Sequence, residues 1–540
     1  MINLTTLTFL SSFLFLLATL SHSLPLTTDS RWIVDDTSGH RVKLRCANWP
    51  GHMEAMVPEG LDRQPVDDIS KLIPQLGFNC VRLTWATWSF TRDGYQNLTV
   101  SQSFKKLGLT DARDGIMKNN PDLLHVGIHD AQAAVVNSLG EHGVMVVLDN
   151  HISTPMWCCS ENDNNGFFGD SDFDPEEWIR GWKVVAERYK DNQWVVGLSL
   201  RNELRGSKQN VSVWFHYTQK CAKAIHAIDP KTLVIVSGLD YDSDLSFLKD
   251  RPYGLDLNKK LVFEFHWYSF TAGQQPKWLS EPINEMCTKS REWFQKQAGF
   301  LLTTSRNRTE TYPLFLSEFG IDERGLNEAD NRYFTCFCTI AAENDLDWAV
   351  WGLQGSYYQR DGIEGPTETY GVLDTTWSRP KNYDVLGRFN LLQHILQDSN
   401  DRAAQYYTLL YHPQTGRCGQ VIGDDKVYQE NCKQRSGWEH KGDGSPIRLR
   451  GTPMCLKAQG ENLPVLVTED CNDKMSRWSF LPPSELHIGT KDARGNDLCL
   501  EWQASDYYTF LTTKKCVLDG KVSSERQWFQ LIPTNVDVEK

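Results

Sequence analysis

Residues 144–151 read Val-Met-Val-Val-Leu-Asp-Asn-His, five apolar side chains without a break and then a polar end. A strand buried on both faces has this texture, because helices packed on either side leave no wet face to demand alternation. Comparable runs stand at 195–200, 233–236, 261–265 and 314–316. The stretches between them are amphipathic. Asp174-Pro175-Glu176-Glu177 offers an N-cap, a first-position proline and a capping-box glutamate, after which Trp178, Trp182, Val185 and Tyr189 fall on one stripe. Trp214, Cys221, Ile225 and Ile228 form the stripe of the next helix. Working outward, strands are predicted near 43–48, 79–85, 144–150, 194–202, 232–237, 261–267, 313–318 and 347–352. Eight strand-helix units predict an α/β fold of the (β/α)8 TIM-barrel type. The alternative, an open doubly wound sheet, lacks the glycine-rich phosphate turn after its first strand. At roughly 350 residues the barrel exceeds the usual size of about 250. The excess lies in Ala86–Gly127, His151–Phe173 and Gln354–Pro380, on the face that carries active sites, and predicts walls around a cleft.

After Asp401 the pattern changes to short strands, turns and regularly placed cysteines. Cys418 to Cys432 is followed by Trp438, Cys455 to Cys471 by Trp478, and Cys499 to Cys516 by Trp528. The second cysteine recurs after 39 and 45 residues, a threefold repeat of the kind that buries one shared core. Spacings of 14, 16 and 17 suit one disulfide per repeat, each contributing about 3 kcal/mol in the chain-entropy model.

Of 540 residues, 40% are apolar and 23% charged, with 19 Trp, 18 Tyr and 24 Phe, which excludes a disordered chain. Lys plus Arg is 56 against 69 Asp plus Glu, and a balance of −13 argues against nucleic acid as a partner. From Gln405 onward the counts are 17 and 18, so the acidic field belongs to the barrel. The apolar run from Leu7 to Leu20, followed by Ser21-His22-Ser23, reads as a secretory signal cleaved near Ser23, although no Lys or Arg precedes it. Sequons at Asn97, Asn210 and Asn307 and the presence of 14 Cys agree with an exported, disulfide-bonded glycoprotein, extracellular or in the cell wall, with no membrane attachment after cleavage. The expected divisions are a signal at 1–23, a barrel at 24–400 and an all-β domain at 405–537.

Two carboxylates close strands at their carboxyl ends: Glu203 in Gly197-Leu-Ser-Leu-Arg-Asn-Glu203 and Glu318 in Pro313-Leu-Phe-Leu-Ser-Glu318. A barrel turns both into one mouth despite 115 residues of separation. Such a pair can split a glycosidic bond if one stays protonated and the other ionised. Arg82, His151, Asn202, His266, Tyr268 and Trp351 likewise interrupt or end apolar runs, where an unpaired polar group would cost several kcal/mol.

In that strand order, Arg82, His151, Asn202-Glu203, His266, Tyr268, Glu318 and Trp351 resemble the cellulase-like glycoside hydrolase family 5, in particular its plant secreted members with an appended ricin B-type lectin domain. The resemblance covers nearly the whole mature chain. It implies a retaining double displacement, with Glu318 as nucleophile, Glu203 as acid and then base, and carboxyls about 5–5.5 Å apart. It also implies that Arg82 and Tyr268 hold Glu318 ionised, Asn202 grips the sugar 2-hydroxyl, and His266 tunes Glu203. His151 would line the sugar site and Trp351 would lie under the reacting ring.

Trp49, Trp85, Trp88, Trp157, Trp267, Tyr357 and Trp377 also stand near the predicted mouth, and about half of them are expected to touch substrate. Separate partners are expected for Cys158 and Cys159, because disulfide geometry disfavours so short a ring; Cys46 and Cys80 read as buried thiols. No HExxH, clustered CxxC or EF-hand pattern appears, so neither metal nor other cofactor is expected. The C-terminal repeats resemble a ricin-type β-trefoil, but Ser436, Ser476 and Arg526 stand where that family carries the Gln of Gln-x-Trp, which puts sugar binding by this domain in question. The expected activity is hydrolysis of β-linked glucan or a related cell-wall polymer such as mannan, by a monomer. The alternatives are a glycosidase or transglycosidase for smaller β-glycosides, and a non-catalytic carbohydrate-binding protein.

Overall fold

A computed structural model describes residues 24–305, 310–401, 405–433, 436–502, 510–519 and 524–535. The expected signal at 1–23 and the sequon at Asn307 lie outside the described residues. Eight strands, β1 (Arg45–Trp49), β2 (Cys80–Ala86), β3 (Met145–Ile152), β4 (Val195–Ser199), β5 (Leu233–Val236), β6 (Leu261–His266), β7 (Leu314–Phe319) and β8 (Asp347–Val350), close in chain order into a parallel barrel, β8 pairing with β1. Every residue of β2 through β8 is buried, which is why these segments carry unbroken apolar runs.

The outer layer consists of α1 (Val66–Gln75), α2 (Ile128–Glu141), α3 (Pro175–Tyr189), α4 (Val211–His226), α5 (Ile283–Gln297), α6 (Glu328–Glu343) and α7 (Tyr383–Arg388). The β5–β6 connection departs from strict alternation and carries a single 3-10 turn, Ser246–Lys249. Helix α3 starts where Asp174 accepts a hydrogen bond from the Glu176 N–H at 2.8 Å. Its Trp178 and Trp182 indoles donate to the Leu200 carbonyl at 3.0 and 2.7 Å. This double tether fixes the chain just before Asn202 and Glu203.

At the N-terminal end of the barrel a hairpin, Leu26–Asp29 with Trp32–Asp35, packs Leu26 and Ile33 against the inward-facing Met145, Val196, Leu233 and Phe315. Cys46 and Cys80 belong to the same interior. They are not the thiols expected: they sit opposite each other in the β1–β2 register, 4.2 Å apart at Cα, and form a disulfide. A further disulfide, Cys287–Cys336, ties α5 to α6.

The long segment after β2 folds into four short helices between Thr87 and Asn119 and packs inward, with Phe104 edge-on to Tyr358 at 4.7 Å. It contributes no wall to the cleft described below.

From Tyr407 to Thr534 the chain is all β, with twelve strands among the described residues, β9 (Tyr407–His412) to β20 (Gln530–Thr534). Cys418–Cys432, Cys455–Cys471 and Cys499–Cys516 are paired within their repeats, as the spacings imply. Trp438, Trp478 and Trp528 are fully buried. Two of these indoles donate within the unit, Trp438 to Gly419 O and Trp478 to Leu456 O. The third, Trp528, donates to Asn284 Oδ1 on α5 of the barrel at 2.9 Å, and Ser524 donates to the same oxygen at 2.8 Å. One apolar cluster continues from the barrel helices into Tyr407, Leu409, Tyr411, Trp528 and Ile532.

Asn284→Ala would leave the buried Trp528 N–H and Ser524 hydroxyl without their shared acceptor, a cost of about 1–3 kcal/mol. The urea midpoint followed by tryptophan fluorescence is expected to fall accordingly. A midpoint equal to that of the wild type would contradict the contact's importance.

Candidate active site

A cavity of about 650 Å³ opens at the carboxyl ends of the strands. His151, Asn202, Glu203, His266, Tyr268, Glu318 and Trp351 all line it. Arg82, fully buried on β2, lies directly beneath them. The eight positions singled out in the sequence are thus brought together around one cavity.

Arg82 organises this floor. Its Nη1 donates to Glu318 Oε1 at 2.9 Å and to Asn48 Oδ1 at 3.0 Å, while Nη2 donates to Asn202 Oδ1 at 3.1 Å and faces Asp149 Oδ1 at 2.9 Å and Glu264 Oε2 at 3.6 Å. Burial works against the arginine's charge, but these carboxylates outweigh it and hold the guanidinium firmly charged. Ser199 Oγ lies 3.0 Å from Asp149 Oδ1 and 2.7 Å from Glu264 Oε1. A hydroxyl has one proton, which these two carboxyls share, and burial pushes both acids up.

Glu318 occupies β7 and receives donors at both oxygens, Arg82 at Oε1 and the Tyr268 hydroxyl at Oε2, 3.1 Å away. Glu203 is not on a strand, as the sequence reading had it. Strand β4 ends at Ser199, and Glu203 stands four residues further on with a left-handed φ of 41°. A non-glycine residue there is strained, and the tether at Leu200 and the bond from Asn202 to Arg82 hold it in place. Its Oε1 lies 3.0 Å from His266 Nδ1. One oxygen of each glutamate and a His266 ring nitrogen all lie within 4.8 Å of one another.

Burial pushes both carboxyls up to about 7. Their hydrogen bonds separate them. Arg82 and Tyr268 favour the ionised form of Glu318, whereas burial lowers His266, and a neutral ring can accept a hydrogen bond at Nδ1 from a protonated Glu203. Repulsion between the two acids disfavours ionising both at once. These three groups are close enough to ligate a cation, but both Glu318 oxygens are already engaged by donors.

His151 donates to or accepts from Asp149 Oδ2 at 2.7 Å through Nδ1 and stacks on Trp351 with centroids 5.3 Å apart. Of the seven other aromatic residues named near the mouth, Trp157 alone lines the cavity. Trp49, Trp85, Trp267, Tyr357 and Trp377 are buried in the packing behind it, and Trp88 lies under the Arg92 guanidinium. Sequence reasoning missed Tyr241, Phe270, Tyr370 and Arg360, contributed by the segments after β5, β6 and β8. Phe270 stacks on Tyr268 at 4.8 Å and is half exposed.

Cys158 and Cys159 also line the cavity, and they correct a second expectation. Instead of finding separate partners they are bonded to each other, with Asn202 Nδ2 at 3.7 and 3.5 Å from their sulfurs.

Residues 36–356 match the family described as cellulase (glycosyl hydrolase family 5). The chain is 42% identical over 538 residues to a glycosyl hydrolase 5 family protein of Chamaecyparis obtusa, covering 97% of this chain and 95% of the other. An endoglucanase of Paenibacillus polymyxa is 24% identical over 388 residues, 67% of this chain and 86% of its own. Among solved structures, the catalytic domain of the major endoglucanase from Xanthomonas campestris superposes with a TM-score of 0.54 at 21% identity, covering 68% of this chain and 99% of that one. A hyperthermophilic endocellulase from Pyrococcus horikoshii gives the same score and identity over 68% and 98%. At that identity the agreement concerns the fold.

The raised carboxyls have a cost in stability. Glu203 moves from an ordinary 4.5 to about 7 on folding, so the folded chain holds its proton more tightly and stability falls as pH rises through that interval. Glu203→Gln removes the cost. Its thermal midpoint should equal the wild type's at pH 4 and exceed it by about 2–6 °C at pH 8, read by calorimetry. A difference that does not grow with pH would refute the assignment.

Proposed function

The chain belongs to glycosyl hydrolase family 5 and is a glycosidase, and on that premise we propose that it is a secreted, retaining enzyme acting on β-linked glucan or a related cell-wall polysaccharide. The observation that carries the mechanism is the pairing of an Arg82- and Tyr268-bound Glu318 with a His266-bound Glu203 within 4.8 Å. Inverting enzymes place their carboxyls about 6.5–9.5 Å apart to admit a water, whereas a close pair suits direct attack on the sugar.

In the first step Glu318 Oε2 or Oε1 attacks the anomeric carbon as Glu203 passes its proton to the departing oxygen, leaving a glycosyl ester on Glu318 and a carboxylate at Glu203. In the second, Glu203 takes a proton from water, the resulting hydroxide oxygen bonds to the same carbon, and Glu318 leaves as carboxylate. Tyr268 and Arg82 recover their ionised partner. Asn202, aimed by Arg82, grips the 2-hydroxyl, where contact strengthens as positive charge grows on the ring. Trp351, braced by His151, lies under that ring.

Endoglucanase names among the relatives support the β-glucan assignment. A reading toward shorter β-glycosides is favoured by one contact. The Arg360 guanidinium stacks on Trp157 at 3.5 Å, joining the segments after β8 and β3 along one flank of the cavity. Six disulfides among the described residues and exposed sequons at Asn97 and Asn210 support passage through an oxidising, glycosylating compartment. Twelve strands, three repeat disulfides and three buried tryptophans support a ricin-type β-trefoil for the C-terminal unit. Ser436 and Ser476 are spent on backbone groups, bonding Val421 N and Asp470 O, which favours a packing role for these two repeats over sugar binding.

Glu318→Gln should lower turnover on the order of 10⁴-fold with the circular dichroism spectrum unchanged. Product analysis on glucans, mannans and aryl β-glycosides, with the first-formed anomer read by NMR, should give a β product; an initial α product or undiminished hydrolysis by the variant would refute the mechanism.

A further inference from the structure

The bonded pair Cys158–Cys159 has no part in the mechanism above, yet it reaches the cavity beside the group that must hold a proton. Both sulfurs and a Glu203 carboxylate oxygen lie within 4.8 Å of one another. Its position relative to the nucleophile follows from a chain of contacts. Glu318 is bound by Arg82 Nη1, Asn202 Oδ1 by Arg82 Nη2, and Asn202 Nδ2 faces the sulfurs. The disulfide therefore borders Glu203 and is linked to Glu318 through Asn202 and Arg82. Its other side rests on Ala86, Ile152 and Met156, an apolar cluster separate from the main core. Disulfide sulfur accepts hydrogen bonds weakly and carries no charge. A wall of this kind repels water from the acid without offering a competing partner.

We propose that the Cys158–Cys159 disulfide is a positioning element of the general-acid side, a dry wall that excludes water from Glu203 so that its proton is delivered to the leaving group. It touches no reacting atom and acts through Glu203. The inference rests on the glycosidase mechanism proposed above and names a residue pair which that mechanism does not require.

Other groups also act on Glu203. Its own loop brings Arg205, and the segment after β3 brings Asp163. The barrel brings Arg82 and Asp149 from below and Glu318 from β7. His266 closes β6, with Tyr268 two residues beyond it, and Tyr241 and Asp242 follow β5. None of these side chains is itself replaced, and both variants below take the sulfurs away from Asn202, so a difference between the two variants isolates the wall.

The test compares two double variants, Cys158→Ser with Cys159→Ser, and Cys158→Val with Cys159→Val. Both lack the bond, but only the first invites water. With a cello-oligosaccharide, the basic limb of the kcat/KM profile should move down by about one pH unit in the serine pair and stay within about 0.3 unit of wild type in the valine pair. At pH 7 the serine pair should lose about tenfold on the oligosaccharide but less than about threefold on 2,4-dinitrophenyl β-cellobioside, whose leaving group needs no proton. Equal shifts in both variants, no shift in either, equal losses on both substrates, or failure of both to fold would overturn the proposal. Absence of turnover by the wild-type enzyme on either substrate would instead refute the hydrolase reading, and the wall's function with it.

Discussion

A single guanidinium, buried without access to water, sets the geometry of the mouth. Arg82 on β2 reaches Asn48 on β1, Asp149 on β3, Glu264 on β6, Glu318 on β7 and Asn202 just past β4. A charge in that position is tolerable because both terminal nitrogens face oxygens, and removing one partner of such a set typically costs about 3–5 kcal/mol. The demand runs both ways. Two acids this close resist ionising together in a dry site, and of the pair it is Glu318 that Arg82 bonds directly.

Asymmetry between the two glutamates follows from where the chain leaves the barrel. Glu318 is still in β7 when it meets Arg82, and the strand holds it. Glu203 has passed the end of β4 and turned with positive φ, which brings it next to His266 rather than to the guanidinium. The strain at that residue is sustained by neighbours that have other reasons to exist: Trp178 and Trp182 are core side chains of α3 whose indoles need an acceptor, and Leu200 O supplies it.

The parallel strands were legible because burial on both faces leaves unbroken apolar runs, and the predicted strand positions fall within a few residues of those observed. The polar residues at the run ends were legible for the same reason, since an apolar segment does not accept Arg82 or His266 without partners. Asp149 and Glu264 carry the same signal, as charges at the end of or inside apolar runs. The aromatics were not separable, since a flat ring that suits a sugar face suits a core equally; Trp49 and Trp377 pack on each other at 6.0 Å. Cysteine pairing was legible in the C-terminal repeats and hidden in the barrel. Cys46 and Cys80 meet through strand register, which no spacing rule reports. The expected segments after β3 and β8 do wall the cavity, joined by segments after β5 and β6 that look like ordinary loops, whereas the long helical excursion after β2 went into packing.

The indole of Trp528 reaches across to α5, while Asn535 and Asp398 bond each other where the chain passes from barrel to all-β unit. A module on a loose tether searches a volume around its partner and gains from proximity in almost any orientation. Here the barrel and the all-β unit share a continuous apolar seam. Any surface gripped by the C-terminal half would present itself to the catalytic mouth at one distance and one angle, so the spacing and stiffness of the bound polymer, more than its local concentration, would decide whether holding it helps to cut it.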